Sequence, residues 1–110
     1  MSRPEQLSEY LRSIVATFLS RDVDLPDGAL ATVTRVDVRP RHRHATAWIS
    51  VLPLARAEET LTLIQERLTA LQDTVNTQVK THPVPRMSVR LDQGPARSAH
   101  IEQLLRTIHE

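Results

Sequence analysis

Two runs of β-forming residues on either side of a short basic turn constrain this chain more than any other feature. The first is Leu30-Ala-Thr-Val-Thr-Arg-Val-Asp-Val-Arg39 and the second is Ala45-Thr-Ala-Trp-Ile-Ser-Val-Leu52, with Arg41-His-Arg-His44 between them. Both runs are rich in β-branched residues, so they predict strands over 30–39 and 45–52 joined as a hairpin. In the second run Ala45, Ala47, Ile49 and Val51 share one face, and Thr46, Trp48, Ser50 and Leu52 share the other. We place the first set in the core and Trp48 on the opposite face. In the first run Val36 and Val38 share a face, but Val33 has the opposite parity. That conflict predicts either a bulge near Thr34 and Arg35 or partial cover on both faces.

Amphipathic helices flank the hairpin. Leu7, Leu11, Ile14, Val15, Phe18 and Leu19 recur at helical spacing over 3–21, after a capping box formed by Ser2 and Glu5. Leu61, Ile64, Leu68, Leu71, Val75 and Val79 form one stripe over 56–80. Thr74, Asn76 and Thr77 weaken its second half, and a break between Leu68 and Thr74 is expected. Met87, Val89 and Leu91 alternate with polar residues and predict a third strand over 86–92. Ile101, Leu104, Leu105 and Ile108 mark a closing helix over 96–109. The class is α+β, in the order α-β-β-α(-α)-β-α, within one domain spanning 1–110. One three-stranded sheet is expected, covered on one face by the first and middle helices. Its core should hold Val36, Val38, Ala47, Ile49, Val51, Met87, Val89 and Leu91, with Ile14, Phe18, Leu68 and Leu71.

Counting excludes several functions. There is no cysteine, so neither a disulfide framework nor a thiolate metal site can form, and a reducing compartment is expected. The two glycines, Gly28 and Gly94, cannot build a P-loop, a dinucleotide fingerprint or a GxxG loop. No apolar run reaches membrane-spanning length, and the polar N-terminus does not resemble a signal peptide. His42 and His44 lack a third ligand nearby, and His82, His100 and His109 are scattered; we expect no metal and no cofactor. No nucleophile or metalloprotease motif appears, so no catalytic residue is assigned and an enzyme is not expected.

Charge placement says more than the net charge of +1. Arg35, Arg39, Arg41 and Arg43 gather on the hairpin, and Lys80, His82, Arg86 and Arg90 gather around the start of the third strand. Asp22, Asp24, Asp27, Glu58, Glu59 and Glu66 lie elsewhere in the chain. Such segregation suits a polyanion-binding face, or equally a charged edge that blunts strand pairing. With only Tyr10, Phe18 and Trp48 as aromatics, serial base stacking is excluded as the main binding mode.

The two strands, with Val84-Pro-Arg-Met-Ser-Val-Arg-Leu-Asp92 and Ile101-Glu-Gln-Leu-Leu105, resemble the bacterial ribosome-binding factor A family over nearly the whole chain. The resemblance implies a KH-like domain of the type II order, α-β-β-α-α-β, without a GxxG loop and with a C-terminal helix. It implies a monomeric cytoplasmic factor that associates with the small ribosomal subunit and assists maturation of its rRNA. No membrane or small-molecule substrate is implied. Arg35, Arg39, Arg41, Arg43, Lys80 and Arg86 are the expected RNA contacts. The chain departs from the family pattern at Leu68-Thr-Ala-Leu-Gln72, which has no glycine and carries Gln72 near an arginine position. The alternative is a KH-like protein-interaction module without RNA affinity.

Overall fold

The computed structural model describes residues 3–39, 41, 43–80, 82–94 and 101–106. Helix α1 spans Arg3–Asp22, strand β1 Leu30–Val38 and strand β2 His44–Leu52. A single 3-10 turn, Leu54–Arg56, leads into α2 at Ala57–Glu66; α3 follows at Leu68–Gln78 and β3 at Arg86–Leu91. Ser2, one half of the expected capping box, lies outside the described residues. Of the closing helix only 101–106 is described; it is helical, and Ile101, Leu104 and Leu105 are exposed.

The sheet runs in the order β1-β2-β3, with β1 antiparallel and β3 parallel to β2. A parallel partner needs a crossover, and the α2–α3 pair supplies it. Both helices and α1 lie on the face that carries Val33, Val36, Ala45, Ala47, Ile49, Val51, Met87 and Val89, all buried. Leu11, Ile14, Val15 and Phe18 of α1 close the core with Ile64, Leu71 and Val75 of the crossover. Three expected core residues, Val38, Leu68 and Leu91, are half-buried. Val38 and Leu91 are the last residues of their strands and Leu68 the first of its helix, where cover thins.

The bulge is present. Val33 pairs with Ile49 and Arg35 with Trp48, which leaves Thr34 unpaired. Its hydroxyl lies 2.8 Å from Asp92 Oδ2 and 3.2 Å from the Trp48 carbonyl. The inward parity therefore switches from odd to even at this point, and Arg35 stands on the uncovered face.

The helical break falls at Arg67, just ahead of the expected 68–74 range. Arg67 sits at φ −100°, ψ 8°, and its amide donates to the Ile64 carbonyl at 3.0 Å, which tightens the last turn of α2. Its side chain explains the position. Nε donates to the carbonyl of Asp22 at 3.3 Å, capping the C-terminus of α1, and the guanidinium lies 5.9 Å from the Phe18 ring centroid. A tertiary contact sets the break, which helix propensity does not reveal.

Both outer edges of the sheet are met by helix side chains. On β1, the Ser8 hydroxyl of α1 donates to the Val36 carbonyl. On β3, Gln72 of α3 accepts from the Met87 amide at 2.7 Å and donates to the Pro85 carbonyl at 3.0 Å. These contacts occupy backbone groups that would otherwise invite another strand.

Candidate nucleic-acid interface

The topology gathers basic residues at one end of the molecule. The hairpin closes with Arg39 N–H donating to the His44 carbonyl at 2.9 Å, so Arg39, Arg41, Arg43 and His44 share the tip. There β3 begins beside β2: Arg86 N–H donates to the Arg43 carbonyl at 2.9 Å, and Arg86 is in register with His44. Helix α3 runs toward the same end. Gln78 accepts from the Tyr10 hydroxyl of α1 at 3.2 Å, and Lys80 Nζ reaches back to the Thr77 carbonyl at 3.1 Å. Lys80 thereby offsets the negative end of the α3 dipole. Of the expected contacts, Arg39, Arg41, Arg43 and Arg86 thus meet at the hairpin tip, although 43 positions separate Arg43 from Arg86 in the chain, and Lys80 follows the C-terminus of α3.

None of these five cations pairs with a carboxylate among the described residues. Elsewhere Arg12 pairs with Glu9 at 3.0 Å and Arg56 with Glu59 at 3.4 Å. Arg41 adopts φ 69°, a left-handed conformation that suits glycine or asparagine and costs an arginine about 1 kcal/mol.

Four acidic residues lie toward the other end of the sheet. Asp24 and Asp27 are in the loop between Asp22 and Leu30, and Glu58 and Glu59 occupy the first turn of α2 beyond the end of β2. In that first turn they also favour the helix dipole.

Arg35 stands apart from this group. It lies midway along the uncovered face, beside Trp48, and pairs with Asp37 at 3.4 Å and Asp92 at 3.5 Å. Sequence proximity to Arg39 had suggested one cluster; the bulge separates them. Arg90, exposed and in register with Trp48 from the other side, completes a row Arg35–Trp48–Arg90 across the three strands. Sequence reasoning missed this row, whose signal was the parity conflict at Val33. Of the two hairpin histidines, His44 is described and exposed, while His42 lies outside the described residues, as do His100 and His109. No described helix is long and apolar enough to cross a membrane.

Comparison with known proteins gives one consistent result. The family model for ribosome-binding factor A matches residues 3–105. The ribosome-binding factor A of Gemmatimonas aurantiaca is 32% identical over 110 residues, covering 98% of this chain and 75% of that protein. That of Beutenbergia cavernae is 32% identical over 106 residues, covering 96% and 67%. The crystal structure of ribosome-binding factor A from Thermus thermophilus superposes with a TM-score of 0.70 at 16% identity, over 82% of this chain and 97% of that one. At that identity the superposition speaks for the fold, which is KH-like.

Proposed function

Since the chain belongs to the ribosome-binding factor A family, we propose that it associates with the small ribosomal subunit and assists maturation of its rRNA. Arg39, Arg41, Arg43, Lys80 and Arg86 are the phosphate contacts. The observation that supports this reading is the gathering of Arg39, Arg41, Arg43 and Arg86 at one end of the sheet, none of them paired with a carboxylate among the described residues. The mechanism is neutralisation of phosphates with release of counterions, plus recognition of folded RNA by shape. Such contacts position the protein without reading sequence. No catalytic group is needed: the factor acts as a cytoplasmic monomer that stabilises one arrangement of the RNA.

Five phosphate contacts imply that log K falls against log salt with a slope of about −3.5 on single-stranded RNA. Replacing Arg41 and Arg43 together should reduce the slope by about 1.4 and weaken binding across unrelated sequences. Both side chains are exposed on a turn, so the melting temperature should hold. A double variant with unchanged affinity for small subunits at every salt concentration would remove the hairpin tip from the interface. Loss of all subunit association at low salt in the unaltered protein would leave the alternative, a protein-interaction module.

A further inference from the structure

We infer that the outer face of the Arg35 guanidinium is a stacking platform for one unpaired nucleobase. The inference rests on the RNA reading above and adds a second, chemically different contact to it.

The bulge at Thr34 lifts Arg35 onto the face of the sheet that no described helix covers. Its Cζ lies 4.8 Å from the Trp48 ring centroid. Each side of the assembly is tied down. Trp48 Nε1 donates to Asp37 Oδ2 at 3.0 Å, and Arg35 Nε lies 3.4 Å from the same oxygen. On the other side Arg35 Nη1 lies 3.5 Å from Asp92 Oδ2, an oxygen that also takes the Thr34 hydroxyl at 2.8 Å. Asp92 Oδ1 in turn accepts from the Gly94 amide at 3.2 Å. A long side chain that would normally sample many rotamers is thus held as a plane over an indole, while remaining 54% exposed.

The local charge decides what that plane receives. Asp37 and Asp92 flank Arg35, so a phosphate approaching its guanidinium meets two carboxylates, unlike at the hairpin tip. A neutral planar base meets no such penalty, and guanidinium planes stack on bases. The surroundings suit the rest of a nucleotide. Arg90 lies across from Trp48, and the hydroxyls of Thr46 and Ser88 meet at 3.1 Å in the next row. Along β2 the platform lies four residues from His44, about 13 Å at 3.3 Å per residue. An RNA strand held at the hairpin tip can therefore continue along the sheet.

Trp48 is the chain's only tryptophan, so its emission reports on the platform directly. The full chain is titrated with a 12-nucleotide single-stranded RNA of mixed sequence and with the matching duplex, across several salt concentrations. The Arg35→Lys variant keeps the charge and removes the plane; its melting temperature controls for the fold. The single strand should alter Trp48 emission and the duplex should not. Arg35→Lys should lose about 5- to 150-fold in single-strand affinity, the range for one stacked base, with an unchanged salt slope. Duplex affinity should stay the same. A salt slope reduced by about 0.7 in Arg35→Gln, which removes the charge, would make Arg35 a phosphate contact and overturn the platform. RNA binding with a salt slope but with Trp48 emission and Arg35→Lys affinity unaltered would overturn the platform alone. No binding of either RNA at low salt would overturn both it and the RNA reading.

Discussion

Gln72 offers the sharpest test of how the crossover holds the sheet. Its side-chain amide accepts from the Met87 amide at 2.7 Å and donates to the Pro85 carbonyl at 3.0 Å, as a neighbouring strand would. Pro85 and Met87 are both buried and Gln72 half-buried, so water replaces either bond only in part. Gln72→Leu leaves one donor and one acceptor unpartnered, at about 1–3 kcal/mol each. The added apolar surface of leucine returns roughly 1 kcal/mol. The net cost should be about 1–5 kcal/mol, or roughly 5–25 °C in melting temperature for a chain of this size. Gln72→Glu keeps only the bond from Met87, and Gln72→Arg keeps only the bond to Pro85, so both should fall between the parent and the leucine variant. Urea titration followed by Trp48 emission measures this, since a lowered midpoint at constant slope is a stability change. A leucine variant with the parent's midpoint would show that the clamp contributes nothing and that β3 is held by β2 alone.

Ile49, fully buried at the centre of β2, should cost about 2–5 kcal/mol on truncation to alanine, read from the same titration; a cost under 1 kcal/mol would contradict the assigned core face. Thr60 is fully buried, and its hydroxyl has no hydrogen-bond partner among the described residues. Thr60→Val should therefore stabilise by about 1 kcal/mol, visible as a melting temperature raised by about 4–6 °C; a lowered one would reveal a bond to that hydroxyl. Arg41→Asn relieves the left-handed backbone while removing the charge. It should melt no lower than the parent yet reduce the RNA salt slope by about 0.7; a lower melting temperature would tie Arg41 to folding rather than binding.

How much of this was legible in the sequence depends on whether the cause was local. The strands were written in alternation, and the parity conflict between Val33 and Val36 pointed to a bulge near Thr34 and Arg35 or to cover on both faces; the bulge is at Thr34. The same conflict, followed one step further, places Arg35 opposite Trp48; reading the arginines as one hairpin cluster overlooked that the bulge turns Arg35 away from the tip. The helical break was expected from weak propensity at Thr74 and Asn76, but its position at Arg67 depends on contacts to Asp22 and Phe18, 45 and 49 positions earlier. No local pattern carries such a contact. Gln72 is the clearest case of a role hidden by chemistry. Beside an arginine-bearing family pattern it reads as a lost cation, whereas its amide supplies the donor and acceptor that the edge of β3 requires. An arginine has no acceptor to offer Met87. Asp92 was likewise visible only as a strand end, although its carboxylate spans from β3 to Thr34 and Arg35 on the far strand.

The central claim is that the cationic hairpin end, whose arginines pair with no carboxylate among the described residues, holds the small-subunit RNA. It is tested most directly by sedimenting the full chain with purified small subunits, large subunits and whole ribosomes at two salt concentrations about fourfold apart. Five phosphate contacts predict association with small subunits at the lower salt and a loss of about 100-fold in affinity at the higher. Equal binding to all three particles would contradict a small-subunit factor, and small-subunit binding indifferent to salt would contradict the phosphate contacts.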